Sequence, residues 1–146
     1  MKRICVGIFA MVMLALAPFA QGQETIKVEY EVDGQTMEGV AIMPSTALRP
    51  VPAVLIVHDW NGIDEHEIRV ASKIASLGYV ALAIDIYGKG VRPQTPEECA
   101  KEAGKYYQDN ALLRARLAGG LAALSKLEKW DKRRVGAIGY CFGGAA

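Results

Sequence analysis

The sequence lacks an excess of charge of either sign. Its 146 residues contain 17 lysines and arginines against 16 aspartates and glutamates. The densest basic stretch, residues 126–134, also holds Glu128 and Asp131, and we interpret it as the solvated end of a helix, where cations suit the helix dipole. Nucleic acid binding needs a concentrated basic surface, so we expect none here. No internal repeat, low-complexity segment or second domain is indicated, and the length predicts one domain.

Long apolar runs are missing after the first twenty residues. Met1, Lys2 and Arg3 precede an uncharged apolar stretch over residues 4–17, which is followed by Pro18 and small residues. A membrane-spanning helix needs about 20 apolar residues, and this stretch is shorter and ends at a proline. The pattern predicts a signal peptide over residues 1–22 and an exported mature chain over residues 23–146. Once the signal peptide is removed, we expect no membrane association.

Cysteine is scarce, with three residues in the chain, of which Cys5 lies in the predicted signal peptide. In an exported protein the other two, Cys99 and Cys141, could form a disulfide. Their contexts differ, however. Cys99 follows two glutamates on a predicted helix, and we interpret it as structural. Cys141 lies between glycines, in Gly139-Tyr140-Cys141-Phe142-Gly143.

Hydrophobic periodicity predicts an α/β fold. Alternation over residues 25–32 and 36–43, joined by Asp33-Gly34, predicts a β-hairpin. Apolar runs over residues 53–57, 79–86 and 135–140 predict buried, parallel strands. Helices are predicted to about residue 77, from a capping box at Thr95, and after Asp109. The expected fold is a mixed, mostly parallel sheet flanked by helices, with ligands at the carboxyl ends of the strands.

The last predicted helix contains an unusual pair, Gly119-Gly120. Each glycine inside a helix costs about 1 kcal/mol relative to alanine. A close approach of the helix to the sheet would offset that cost, and we predict one.

The segment around Cys141 has the spacing of a nucleophile elbow, Gly-x-Ser-x-Gly, with cysteine in place of serine. The glycines suit a strained strand-to-helix turn, where neighbouring side chains would collide with backbone. Such a turn would expose the sulfur, and a helix N-terminus after it would favour the thiolate. The Phe142 amide is one candidate oxyanion donor, and the other is expected at Asp59 and Trp60. The alternative is a small buried cysteine in a glycine-rich turn.

Three segments together resemble the dienelactone hydrolase family of the α/β-hydrolase superfamily. They are residues 52–62, 78–88 and 136–144, and the similarity runs from about residue 25 to residue 146. The resemblance implies hydrolysis of lactones and related small-molecule esters by a Cys-Asp-His triad without a cofactor. It also implies that the chain is the N-terminal part of an α/β-hydrolase fold, ending after the elbow.

The resemblance assigns roles to five positions of this sequence. Cys141 matches the nucleophile, and the amides of Trp60 and Phe142 match the oxyanion hole. Asp59 matches an acidic residue, usually glutamate, that contacts the resting thiol. Lys89 falls where an arginine contacts the substrate carboxylate, and lysine keeps that charge without the bidentate geometry.

The two histidines of the chain do not fit the triad. His58 precedes the elbow, whereas the order on this fold is nucleophile, acid, histidine. We expect His58 to hydrogen-bond nearby backbone and His66 to be solvated on its helix. A metal site at His58, Asp59 and His66 is not expected, because nothing in the sequence completes its ligand set.

The acid and the histidine of the triad have no counterpart after the elbow. We therefore expect the chain to be the N-terminal portion of a longer protein, and to be inactive as it stands. A non-catalytic binding or interaction protein on the same fold is the alternative function.

Overall fold

The computed structural model describes residues 22–45 and 47–146, so the predicted signal peptide lies outside the described residues apart from Gly22. Five strands form one sheet: β1 (Gln23–Val32), β2 (Gln35–Pro44), β3 (Val51–Val57), β4 (Val80–Ile84) and β5 (Trp130–Gly139). Their order is β1-β2-β4-β3-β5. β3 is parallel to β4 and β5, whereas β2 is antiparallel to β1 and β4. The predicted mixed sheet is confirmed.

The turn between β1 and β2 is the one that Asp33-Gly34 predicts. Asp33 has φ 51° and Gly34 has φ 75°, and Val32 pairs directly with Gln35. Two central residues at positive φ match the right-handed twist of the flanking strands, which is why such dipeptides favour two-residue hairpins.

Three α-helices connect the strands: α1 (Glu65–Ser76), α2 (Pro96–Gln108) and α3 (Asn110–Ala123). Short 3-10 helices follow at Leu124–Lys126 and Cys141–Gly144. The capping box predicted at Thr95 is present, since its hydroxyl accepts from the Glu98 amide at 3.2 Å and Glu98 accepts from the Thr95 amide in return. Among the helices of the described residues, none has the length and apolarity needed to span a bilayer.

The helices lie on both faces of the sheet. α1 packs against β2 and β4, where Ala81 and Ala83 share a buried cluster with alanines of the helix. On the opposite face, Leu82 and Ile84 of β4 join a larger cluster that includes residues of α2 and α3. The buried alternation along β4 explains why that strand is apolar at every position.

The glycine pair of α3 allows the close approach that the sequence predicts. A β-carbon on Gly120 would lie 2.7 Å from Ile84 Cγ2 in β4, and one on Gly119 would collide with Val32 Cγ2 in β1. The helix therefore sits nearer to the sheet than any side chain at these positions would permit.

Replacing Gly120 with alanine should destabilise the fold. Overpacking costs about 1–3 kcal/mol, and the gain in helix propensity returns only about 1 kcal/mol. Gly104→Ala in α2 is the matched control, because no atom of the described residues, apart from adjoining backbone of its own helix, lies within 4 Å of a β-carbon there. It should raise the free energy of unfolding in urea titrations. Equal stability changes for the two variants would show that α3 is not held against β4 in this way.

The last strand begins five residues earlier than the predicted range of residues 135–140. β5 begins at Trp130, so Lys132, Arg133 and Arg134 lie in an exposed part of that strand, between the paired positions Trp130 and Val135, rather than at a helix end. Asp131 accepts from the Arg133 amide at 3.0 Å and pairs with both guanidinium groups, which lowers the pKa of Asp131 to about 2. Exposed charged residues follow no apolar period, so periodicity alone did not separate this segment from a helix end.

Candidate active site

Cys141 lies in a sharp turn at the carboxyl end of β5. Its φ is 50°, in the left-handed backbone region that residues other than glycine and asparagine rarely adopt. The Gly143 amide donates to Tyr140 O at 2.8 Å and closes the turn, and Cys141 is exposed. The strained turn that the Gly-x-Cys-x-Gly spacing predicts is therefore present, with the cysteine at its apex.

The two flanking glycines are required by packing. A β-carbon on Gly143 would lie 2.6 Å from His58 O and closer still to Val57 O. One on Gly139 would collide with the carbonyl oxygen of Gly143. All of these obstacles are backbone atoms, which cannot move aside as flexible side chains do.

The turn lies directly beside the loop that follows β3. Val57 pairs with Gly139 in the parallel register, and the Tyr140 amide donates to Val57 O at 3.4 Å. Asp59 and Cys141 are thus each two residues past a paired position on adjacent strands. The structure brings the elbow and the loop at residues 58–62 together, as the sheet-end argument predicts.

Both candidate oxyanion donors lie in this region. Phe142 is in the first turn of the 3-10 helix, where a backbone amide has no acceptor within its own helix. Its ring is buried against His58 at 5.8 Å and Tyr87 at 5.5 Å between centroids. Trp60 lies in the loop after β3, and the residue is 38% exposed. The roles of the two amides stay predictions.

Asp59 is half-buried on the same loop. Its Oδ1 accepts from the Asn61 amide at 2.9 Å, which closes an Asx turn. Contact between this carboxylate and the resting thiol stays a prediction.

Lys89 forms an ion pair with a residue of the first strand. Its ammonium lies 2.5 Å from Glu29 Oε1 on β1, the strand at the edge of the sheet opposite to β5. The ion pair raises the pKa of Lys89. Contact with a substrate carboxylate would require this pair to open, and that role stays a prediction.

His58 is fully buried and bonded to backbone through both ring nitrogens, which confirms the sequence-based expectation. Nε2 accepts from the Ile86 amide at 3.2 Å, so Nδ1 must hold the proton that bridges to Asp59 O at 2.5 Å. Burial lowers the pKa of His58, which keeps the ring neutral. Neither nitrogen is available as a general base.

The stability of the protein should depend on pH through His58. The folded pKa lies below the unfolded value of about 6.5, so the unfolded chain binds more protons between the two. The free energy of unfolding should therefore fall as the pH falls below about 6.5 and be independent of His58 above it.

His58→Gln, which can bond but does not titrate, is the comparison for urea unfolding between pH 5 and pH 7.5. In this window the variant should lack the fall in the free energy of unfolding toward low pH that His58 causes in the wild type. Burial raises the pKa of Glu67, which contributes the opposite slope, but both proteins share that effect. Parallel curves for the two proteins would contradict the assignment of a neutral, buried His58.

The structure also locates the remaining sequence candidates. Cys99 is buried, its thiol lies 3.4 Å from Asn61 Oδ1, and burial raises its pKa, which confirms the structural interpretation. Cys99 and Cys141 are both free, so the possible disulfide is not formed. His66, which we expected to be solvated on its helix, is half-buried and packs edge-on against Tyr140 at 4.7 Å, so its side chain is only partly in solvent. In the described part of the chain, no cluster of three metal-ligating side chains occurs.

Sequence reasoning missed the carboxylate that holds the loop after β4. Asp85 is fully buried, and its oxygens accept from the amides of Tyr87, Gly88 and Glu38 at 3.1 to 3.2 Å. Arg92 lies 3.7 Å away. The available signal was an aspartate within the otherwise apolar run of residues 79–86, because a buried carboxylate needs such partners.

Comparison with known proteins gives a consistent picture. Residues 37–146 match the sequence profile of the dienelactone hydrolase family. A Synechocystis relative named carboxymethylenebutenolidase is 31% identical over 105 residues, covering 67% of this chain and 42% of the relative. A relative with the same name from Aquifex aeolicus is 28% identical over 121 residues, covering 80% of this chain and 51% of the relative. The chain spans between 33% and 51% of the lengths of the curated relatives it matches.

Solved structures share the architecture. A dienelactone hydrolase-like promiscuous phosphotriesterase from metagenomic libraries aligns with a TM-score of 0.80 at 30% identity, covering 84% of this chain and 51% of that one. A Klebsiella pneumoniae protein named as a dienelactone hydrolase aligns with a TM-score of 0.73 at 24% identity, covering 84% of this chain and 52% of that one. At this identity the likeness supports the fold alone. With the family profile matching most of its length, the chain belongs to the dienelactone hydrolase family of α/β hydrolases.

Proposed function

We propose that the full-length protein is an exported hydrolase of lactones or small carboxylic esters, with Cys141 as its nucleophile. The elbow supports this most directly, because Cys141 is held at positive φ between glycines that backbone atoms require. A cysteine that only fills space has no need of that conformation, and strain of this kind clusters at functional sites. The relatives' name, carboxymethylenebutenolidase, points to a lactone as substrate.

The proposed reaction has two halves. A base takes the proton of Cys141, and the thiolate attacks the carbonyl carbon to form a tetrahedral oxyanion, which the amides of Trp60 and Phe142 stabilise. The intermediate collapses to a thioester as the C–O bond breaks, and the base returns its proton to the departing alkoxide. Water then attacks the thioester, releasing the acid and the Cys141 thiol.

His58 does not supply the base, since both of its nitrogens are bonded to backbone. Family members supply an aspartate and a histidine that follow the elbow in chain order. We propose that a longer protein provides them here, and we expect a polypeptide of residues 23–146 alone to turn over no ester.

Export rests on the N-terminal sequence of residues 1–22. The mature N-terminus of the native protein, measured by mass spectrometry in fractionated cells, tests it. Cleavage near residue 22 and recovery outside the cytoplasm are expected, and an intact N-terminus in the cytoplasmic fraction would contradict export.

The function itself is tested with the full-length protein, 4-nitrophenyl acetate and a set of five- and six-membered lactones. Turnover should be present and should disappear in step with alkylation of Cys141 by iodoacetamide. Turnover that survives complete alkylation would refute the cysteine mechanism. Absence of turnover on every substrate would favour a non-catalytic binding protein on the same fold.

A further inference from the structure

The peptide groups on either side of Trp60 are held by two buried rings that the reaction itself does not use. We propose that His58 and Tyr87 are positioning residues, which together orient the Trp60 amide as an oxyanion donor. This inference rests on the proposed function, because it assigns a role to residues around that same site.

His58 fixes the direction of the Trp60 N–H. The Nδ1 proton of His58 bridges to Asp59 O at 2.5 Å, and this carbonyl belongs to the same peptide group as the Trp60 N–H. The described peptide bonds are all trans, so this N–H points opposite to the carbonyl, away from the His58 ring. Because the Ile86 amide donates to Nε2, the ring cannot offer the other tautomer.

Tyr87 fixes the next peptide group. Its hydroxyl donates to Trp60 O at 3.2 Å, while the Asn61 amide of that same group donates to Asp59 Oδ1 at 2.9 Å. Both polar atoms of the peptide between Trp60 and Asn61 are therefore engaged. With its neighbouring groups held on both sides, Trp60 has little freedom to rotate its amide.

The Tyr87 side chain also contacts the elbow. It is 1% exposed, and its ring lies 4.6 Å from the His58 ring and 5.5 Å from the Phe142 ring. One residue thus sets the loop that holds Trp60 relative to the turn that holds Phe142. Oxyanion donors stabilise a transition state best when they need no reorganisation, and this arrangement provides that.

The test is Tyr87→Phe in the full-length protein, which keeps the ring and removes only the hydroxyl. Tyr106→Phe is the matched control, because Tyr106 is equally buried and its hydroxyl lies 3.5 Å from Tyr87 O rather than on the Trp60 loop. Losing one oxyanion donor costs roughly 100- to 1000-fold in kcat, so a misaligned donor should cost about 10- to 100-fold. KM should stay within about twofold of the wild-type value, since the lost interaction forms only in the transition state.

A second readout separates positioning from general damage. Alkylation of Cys141 by iodoacetamide develops no oxyanion, whereas acylation by 4-nitrophenyl acetate does. Tyr87→Phe should slow acylation and leave the alkylation rate unchanged. If both rates fall together, or if kcat equals that of Tyr106→Phe, the positioning role is overturned. Turnover that persists in Cys141→Ala would instead overturn the proposed function.

Discussion

In the full-length protein, replacing Gly143 with alanine should strongly reduce hydrolysis and should destabilise the fold. The added β-carbon would lie 2.6 Å from His58 O and closer to Val57 O, both at the carboxyl end of β3. Because these are backbone atoms of the central sheet and its loop, the elbow must move instead. We expect a loss of about 1–3 kcal/mol from overpacking, together with a turnover at least about 100-fold lower, since a displacement of about 1 Å has that effect.

Gly144→Ala is the matched control for this prediction. Among the described residues outside the turn, the nearest atom to a β-carbon at Gly144 is Gly139 O at 3.5 Å, which is ordinary contact. The control should keep its activity. Its free energy of unfolding should change by no more than an ordinary surface substitution does, about 0.5 kcal/mol. If Gly143→Ala and Gly144→Ala behave alike in ester hydrolysis and in thermal unfolding, the elbow does not depend on the packing described above.

Replacing Cys141 with alanine should remove activity without harming the fold. Loss of a nucleophile lowers kcat by on the order of 10⁴-fold or more, because the remaining binding groups supply only residual catalysis. Cys141 is exposed, so its removal leaves no cavity. Cys99→Ala is the control, since that thiol is buried beside Asn61 and should affect stability rather than turnover.

Cys141→Gly sharpens the same prediction. Glycine adopts positive φ at little cost, and relief of the strain at φ 50° should offset its greater freedom in the unfolded chain. The variant should therefore be inactive and at least as stable as the wild type in thermal unfolding. A clear loss of stability would mean that the native turn holds no strain at Cys141.

The elbow and the hairpin could be predicted from the sequence because each depends on local backbone chemistry. Asp33-Gly34 predicts a tight hairpin turn, and the glycines around Cys141 predict a strained turn. The structure has positive φ at Asp33, Gly34 and Cys141, as both turns require. Likewise, Gly119-Gly120 indicated a close helix-to-sheet approach, which Ile84 and Val32 provide. In these cases a residue type has one strong physical reason to occur where it does.

Other features depend on which groups the fold brings together, and no local pattern contains that information. Tyr87 follows the predicted strand over residues 79–86, and nothing in the sequence indicates that its hydroxyl bonds to Trp60 O, 27 residues away. Lys89 matched a family position, yet Glu29 on the far edge strand holds its ammonium. The start of β5 at Trp130 was missed because the exposed charged residues that follow it have no apolar period.

The central claim, that Cys141 is the nucleophile of an ester or lactone hydrolase, is tested most directly by intact-mass measurement of the acyl-enzyme. The full-length protein is mixed with 4-nitrophenyl acetate and quenched with acid within the first turnovers. We predict one added acetyl group, located on Cys141 by peptide mapping, and none in Cys141→Ala. Hydrolysis at an undiminished rate in Cys141→Ala, or an acetyl group on another residue that turns over at the rate of hydrolysis, would contradict the account.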